Sequence, residues 1–320
     1  MHAILGAGGA IGAGLVKELR HMRHRVRLVG RKPHRVEGAH EILSADLANM
    51  DQTVRAIEGA KVVHLIVGLK YDVKIWRDLW PLIMSNTIEA CKRVNAKLIF
   101  FDNVYMYGKV IGPMTEESPF NPCSKKGEIR AQIATTLLDQ IKAGNLKAMI
   151  ARSADFYGPS ARTSVANMLV FNKFADGAAA SWLVDDAVPH SFTYTPDAAK
   201  SMALLATSKF AWNQTWHLPT ASNPPTGKEF IHMAAREFGV KANYRVLGRR
   251  LIKFAGWFDS DVRESYEMLY QNGAPYLFDS TKFEKAFDCN PTSYVEGIGA
   301  TAEACKRHVG PVVVGGVELY

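Results

Sequence analysis

In the first half of the chain, short apolar runs alternate with helix-length amphipathic stretches, and that rhythm leaves few folds open. Residues 3–5, 26–29, 62–67, 98–101 and 148–151 read as strands, with a further short strand ahead of Ser44. Across 11–22, 51–57, 76–94 and 128–141 the apolar residues recur at helical spacing. Strands that are apolar throughout, rather than at every second position, have both faces covered, and crossover helices provide the cover. The predicted class is α/β, a doubly wound parallel sheet. After about Tyr157 the pattern loosens into loops carrying Pro189, Pro196, Pro219, Pro224, Pro225, Pro275 and Pro291, with helices expected over 227–238, 249–258 and 262–270. Residues 1–155 are expected to form the sheet domain and 156–320 mainly a smaller C-terminal lobe, with segments near 185–220 returning to the sheet domain.

Composition excludes several alternatives. The longest apolar run, residues 62–69, is strand-sized and far short of the ~20 residues that cross a bilayer. No membrane partner is expected. The N-terminal residues lack the basic segment and long apolar stretch of a secretory leader, so a cytoplasmic protein is expected. The four cysteines, Cys91, Cys123, Cys289 and Cys305, stand far apart and form no metal-ligand spacing. No metal site is expected. The net charge of +8 is uneven: up to Val36, eight Lys and Arg residues face only Glu18. Such a cluster suits nucleic acid, a solvated helix face or a phosphate-bearing ligand. Nucleic acid ranks last, because no basic strand interleaved with aromatics accompanies the cluster.

The loop Gly6-Ala7-Gly8-Gly9-Ala10-Ile11-Gly12 decides among these readings. Its glycines follow a strand and open a helix, where a tight turn and close approach of backbone to a pyrophosphate both require a missing side chain. The helix N-terminus adds amide donors and a positive dipole end. Gly6, Gly8, Gly9, Ala10, Ile11 and Gly12 are therefore candidate dinucleotide contacts in a Rossmann fold. Asp46, Leu47 and Val67, at later strand ends, are candidates for the same ligand. The second strand ends Val29-Gly30-Arg31-Lys32, with no acid to accept ribose hydroxyls. A guanidinium at Arg31 suits a 2′-phosphate, so NADP is expected in preference to NAD. For Asp46 the alternatives are an adenine contact and helix capping.

The glycine triplet, Asp46-Leu47, His64-Leu65, Tyr107-Gly108, Tyr157-Gly158-Pro159 and Ser280-Thr281-Lys282 occur in one order across nearly the whole chain. In this the sequence resembles the extended short-chain dehydrogenase/reductases, the NAD(P)-dependent epimerases, dehydratases and reductases of nucleotide sugars and related carbonyl compounds. The resemblance implies a Rossmann domain, a C-terminal substrate lobe, a pyridine nucleotide and often a homodimer. It also implies a Ser or Thr after the fifth strand, then Tyr-x-x-x-Lys on the next helix. The hydroxyl orients a carbonyl, the Tyr transfers the proton that accompanies hydride transfer, and the Lys lowers the Tyr pKa and holds the ribose.

Here the chain departs from that pattern. Counting back from Tyr107-Gly108 places Asn103 where the Ser or Thr belongs, and the helical pair reads Lys126-x-x-x-Arg130. An amide can still donate to a carbonyl. Residues four apart share a helix face, so Lys126 and Arg130 are expected to point at one site, with Lys126 exchanging protons and also touching the cofactor. A one-residue register change would substitute Lys125 for Lys126. Tyr105 and Tyr157 are the replacement acids to consider, with packing as the alternative for each. Tyr157 is expected to line both cofactor and substrate and His190 the substrate, and His190 near a position where relatives hold a diphosphate with Arg weakens the case for a nucleotide sugar. Asp102 and Asp155 orient a hydroxyl or cap a turn. The chemistry expected is hydride transfer to or from a small carbonyl or sugar-like substrate. The rival is an NADP-binding sensor or scaffold with no redox turnover.

Overall fold

The computed structural model describes residues 1–6 and 8–307 of the chain. Strands β1 (His2–Leu5), β2 (Val26–Gly30), β3 (Glu41–Ser44), β4 (Val62–Leu65), β5 (Lys97–Asp102) and β6 (Ala148–Arg152) follow one another along the sheet domain. Three short strands then belong to the lobe: β7 (Asp155–Tyr157), β8 (Ala180–Leu183) and β9 (Phe192–Tyr194). The next, β10 (Thr215–His217), returns to the central sheet, and β11 (Tyr244–Leu247) pairs with β8. The central sheet is parallel in the order β10-β6-β5-β4-β1-β2-β3, as expected for a doubly wound fold. Its strand order reverses at β1, which has β2 on one side and β4 on the other, and ligands of such sheets bind at that reversal.

Alternation along the strands sends side chains to two cores. Ala3 and Leu5 join Val63, Leu65, Leu98 and Phe100 on one face, while Ile4 and Leu28 pack on the other. The helices of this domain are α1 (Gly12–His21), α2 (Met50–Ile57), α3 (Val73–Arg93) and α4 (Lys125–Lys142). The first face is covered by α2, α3 and α4, with Trp80, Ile133 and Leu137 buried there. After the single turn α5 (Asn172–Ala175), helix α6 (Thr195–Thr207) packs on α1, and the two cover the second face. Burying each such aliphatic side chain is worth roughly 1.5–3 kcal/mol.

The lobe has its own aromatic core around Phe171, Trp182, Phe192 and Phe230. The later helices are α7 (Gly227–Phe238), α8 (Arg249–Ala255), α9 (Ser260–Ser265), α10 (Thr281–Phe287) and α11 (Tyr294–Arg307). The helix expected over 249–258 stops at Ala255, and the one expected over 262–270 is α9 followed by a 3-10 turn, Tyr266–Asn272. Gly256 lets the chain cross close to Arg263, and Asp259 starts α9 by accepting hydrogen bonds from the amides of Asp261 and Val262. Residues 308–320 of the expected lobe lie outside the described residues.

The register of β5, β6 and β10 lines up Asp102, Arg152 and His217 in one row at the C-terminal edge of the sheet. All three are buried. Asp102 accepts from Arg130 on α4 and lies 3.5 Å from Arg152 Nε. Arg152 Nη1 donates to the Tyr107 hydroxyl at 2.7 Å, and that hydroxyl donates on to His217 Nε2 at 2.8 Å. His217 Nδ1 donates to the carbonyl of Asp279. Across the sheet, His2 and His64 share a hydrogen bond of 3.1 Å.

This buried polar set makes stability sensitive to charge and to pH. Replacing Asp102 with Asn leaves two buried guanidinium groups without a counter-charge and is expected to cost about 3–5 kcal/mol in urea unfolding; a loss under about 1 kcal/mol would contradict the network. Burial lowers the pKa of His2 and of His217 to about 3, and that of His64 well below its ordinary value. The unfolded chain takes up these protons below about pH 6.5 and the folded chain does not, so stability is full above that pH and falls as pH drops toward 3, by about 1.4 kcal/mol per unit per histidine. The melting temperature is expected to fall between about pH 7 and about pH 5, and His217→Gln to remove about a third of that slope. An unchanged slope in the variant would contradict the assignment.

Candidate active site and cofactor cleft

The glycine loop leaves β1 and enters α1 beside the reversal point; Ala7 within it lies outside the described residues. Gly6 adopts φ of +97°, and a Cβ there would stand 2.5 Å from Cα of Val67, so only glycine lets this turn pack against the chain after β4. Beyond it the loop is open. A Cβ on Gly8 would meet no atom within 4 Å, and one on Gly9 only the Gly6 carbonyl at 3.9 Å. Ile11, at the N-cap of α1, offers no side chain to cap the helix, and Gly12 is its first residue. Exposed loop backbone at Gly8 and Gly9, leading into a helix start with no side-chain cap, fits a pyrophosphate.

Arg31 is exposed just past β2, and its carbonyl accepts from Ser44 Oγ at 2.8 Å. Within the basic cluster Arg25 and Arg27 pair with Glu41 and Arg20 meets His40, while Lys17, Arg23, Lys32 and Arg35, like Arg31, are in no ion pair among the described residues. Among the described residues no carboxylate pairs with Arg31, so its guanidinium is free for a ligand. Asp46 is exposed and accepts from the amide of Ala48, while Asn49 caps α2. Leu47 is buried against α3, where its carbonyl accepts from Asn86.

Helix α4 begins after Ser124, whose hydroxyl accepts from the amide of Gly127 at 3.0 Å. That cap fixes the register: Lys125 is exposed and Lys126 fully buried. Gly127 allows the first turn to lie on the Tyr105 carbonyl, 2.6 Å from where a Cβ would be. The expected sharing of one site by Lys126 and Arg130 is not what the structure shows. Lys126 Nζ lies 2.6 Å from Glu264 and 3.1 Å from Glu267, both brought in by the lobe, and 4.7 Å from the centre of the Tyr71 ring. Arg130, one turn deeper, is bound to Asp102 and stacked on Trp80 and Phe100. The two cations are separated because each has its own counter-charge, which outweighs their common helix face.

Tyr157 also departs from expectation. Its ring is buried in the lobe core against Phe171, Phe230 and Tyr294, and its hydroxyl points at Gly297 of α11. It is a packing aromatic, away from the cofactor loop. Asn103 remains at the cleft, where its side-chain oxygen accepts from the Tyr105 amide at 3.1 Å. Tyr105 is half-buried, stacks on Trp76 and meets the Tyr71 hydroxyl at 3.4 Å. Burial, with the Asp155 carboxylate second, pushes its phenol up to about 12. Burial likewise raises the phenols of Tyr71, Tyr270 and Tyr276. The buried Tyr270 hydroxyl has no oxygen or nitrogen partner among the described residues and faces only the Cys123 thiol, which leaves a donor available to a ligand.

His190 is buried, with its Nε2 3.0 Å from Asp155 and its ring stacked on Tyr276 at 4.2 Å. Asp155, His190 and Asn272 are the polar lining of a small cavity of about 20 Å³, room for one water, whose apolar walls include Trp182, Leu169 and Val170. Sequence reasoning named Asn103, Tyr105 and His190 as candidates and did not name Tyr71, Tyr270, Tyr276, Glu264 or Glu267, which the structure brings near them. The one local signal for the acids is their spacing: Glu264 and Glu267, three apart, share a helical face.

No helix among the described residues is long and apolar enough to cross a membrane. No curated protein matches the chain. Its fold is shared with MoeE5 in complex with UDP-glucuronic acid and NAD, at TM-score 0.79, 18% identity and coverage of 96% of this chain and 99% of that one. It is shared with UDP-glucose 4-epimerase of Thermus thermophilus in complex with NAD, at TM-score 0.77, 18% identity and 97% and 100% coverage. It is shared too with dTDP-glucose 4,6-dehydratase of Bacillus anthracis in complex with NAD, at TM-score 0.79, 15% identity and 96% and 97% coverage. The model of the NAD dependent epimerase/dehydratase family matches residues 3–215, and the chain therefore belongs to that family of nicotinamide-dependent enzymes.

Proposed function

We propose that this enzyme moves hydride between a nicotinamide cofactor, NADP in preference to NAD, and the carbonyl or hydroxyl carbon of a small sugar-like substrate. The observation that carries the reading is the pair of neutral phenols, Tyr105 and Tyr71, hydroxyl to hydroxyl beyond the end of β5. Tyr71 lies against Lys126, at the position of α4 where the family pattern has a tyrosine, which supports the reading. The cofactor, held by the loop from Gly6 to Gly12 with Asp46 and Val67 nearby, supplies or accepts the hydride. Burial keeps the Tyr105 phenol protonated at neutral pH, so it can offer its hydrogen to the oxygen of a carbonyl being reduced, although its raised pKa makes it a weaker acid than an ordinary tyrosine. Asn103 orients that oxygen through its amide, and Tyr71 holds the Tyr105 hydroxyl in place.

Lys126 and Arg130 act as positioning residues in this reading. Lys126 keeps a positive charge against the Tyr71 ring, and Arg130 anchors the strand end that carries Asn103. Asp155 and His190, joined at 3.0 Å, offer a carboxylate and a ring to the hydroxyls of a sugar. UDP-glucose, UDP-glucuronic acid and dTDP-glucose are the first substrates to screen, because structural neighbours are named for them. Burial of both cations of the α4 pair also favours the second reading, a cofactor-binding sensor that turns nothing over. No reduction of NADP+ by any member of that panel, together with no oxidation of NADPH by their keto relatives, would support the sensor.

NADP preference is supported by the free guanidinium of Arg31 beside Gly30. A charge-assisted bond to the 2′-phosphate contributes about 1.5–3 kcal/mol, or roughly 10- to 100-fold in affinity. Fluorescence titration is expected to show NADPH binding tighter than NADH by about that factor, and Arg31→Asp to remove the difference while NADH affinity holds. Equal or tighter binding of NADH by the parent would overturn the preference.

A further inference from the structure

The cleft's lobe side is built on a stretch whose outer surface has no role in the chemistry above. From Gly239 to Phe258 the chain carries five cations, Lys241, Arg245, Arg249, Arg250 and Lys253, and no acid. Within it, α8 and the turn that follows turn their large apolar side chains outward: Leu251 is 53% exposed, Phe254 55%, Trp257 71% and Phe258 79%. Leu251 and Phe254, three residues apart, share a face of α8, and Phe258 follows in the turn after it. The three aromatic rings cluster, with Phe254 5.8 Å from Trp257 and 5.4 Å from Phe258. They form a single outward patch, while Ile252 points into the protein.

A monomeric protein rarely leaves such a patch to water. Arg250 and Lys253 are exposed beside it, and Lys241 and Arg245 are exposed before and on the neighbouring strand β11. Among the described residues none of these four cations is in an ion pair; only Arg249 is engaged, donating to the carbonyl of Leu269. Outward aromatics and aliphatics beside unpaired cations are the arrangement that settles at the boundary between anionic headgroups and acyl chains, with the exposed acids Asp259 and Asp261 confined to the end of the patch beyond Phe258.

We propose that residues 240–258 form a membrane-surface docking face for anionic lipid, with Trp257, Phe258, Phe254 and Leu251 entering the interface and Lys241, Arg245, Arg250 and Lys253 meeting the headgroups. The expectation of no membrane partner rested on the absence of a spanning run, and a face that lies on a bilayer needs no such run. The segment packs on α9 and the following 3-10 turn, which hold Lys126 through Glu264 and Glu267. Docking therefore sets the candidate cleft next to the lipid surface.

The test is flotation of the full chain with vesicles of equal parts phosphatidylglycerol and phosphatidylcholine, against vesicles of phosphatidylcholine alone. Binding is expected to the anionic vesicles only, and to weaken at least about tenfold when salt rises from about 0.1 M to about 0.5 M. The doubly substituted Trp257→Ser, Phe258→Ser variant is expected to lose at least about tenfold in binding with an unchanged melting temperature, because both side chains are already exposed. Should that variant unfold, Arg250→Ser with Lys253→Ser carries the same expectation. Absence of binding to anionic vesicles, or full binding by a folded variant, overturns the proposal. A dimer in size-exclusion chromatography that the Trp257 and Phe258 changes dissolve also overturns it, since a second copy would then cover the face.

Discussion

Asp102 sits at the end of β5 with almost no exposure, holding one guanidinium from α4 and facing another on β6. A buried carboxylate between two buried cations has few geometries in which every charge is answered. Satisfying it pulls α4 down onto the sheet through Arg130, and fixes the height of β6 through Arg152. Through Tyr107 and His217 it reaches β10, so the strand that returns late in the chain is tied into the same row. The loop that leaves β5 immediately after Asp102 carries Asn103 and Tyr105. Their positions in the cleft follow from that anchor, and Asp102 itself also accepts from the amide of Asn103 at 2.9 Å.

A second tie joins the sheet domain to the lobe. Lys126 comes from the sheet domain, and its carboxylates come from 138 and 141 residues further along the chain. Glu264 reaches beyond Lys126 to accept from the amide of Val73 at the start of α3, and Glu267 accepts from the amide of Lys125. Both acids thus sit at helix starts, where the dipole and the free amides favour negative charge. The arrangement explains how a lysine can replace a tyrosine at this position of α4 without leaving a buried charge unanswered. In the function proposed above, the proton chemistry falls to neighbouring phenols.

Much of this architecture was legible in the sequence, and the failures have physical causes. Strands buried on both faces announce themselves as unbroken Val, Ile and Leu runs, and the turn at Gly6 can be read because a side chain there has no room. Lys126 rather than Lys125 was settled by Ser124, a helix cap that sequence alone leaves ambiguous by one residue. The inward course of Arg130 was not legible, because a shared helix face says nothing of which partner waits at each depth. Tyr157 was misplaced since an aromatic ahead of Gly-Pro suits a cleft and a core equally well; the packing of Phe171 and Tyr294 around it decides for the core. Tyr71, Tyr270 and Tyr276 come together only through tertiary folding, and no spacing in the chain links them.

The account stands on proton transfer having moved from α4 to the phenol beside Asn103. Its most direct test is turnover by Tyr105→Phe at saturating cofactor, followed by nicotinamide absorbance with the nucleotide sugar or keto sugar that the parent accepts. Removal of a general acid lowers turnover by about 10²- to 10⁴-fold, and the account predicts a loss in that range with cofactor affinity and melting temperature unchanged. A Tyr105→Phe enzyme that turns over within a few-fold of the parent would contradict it.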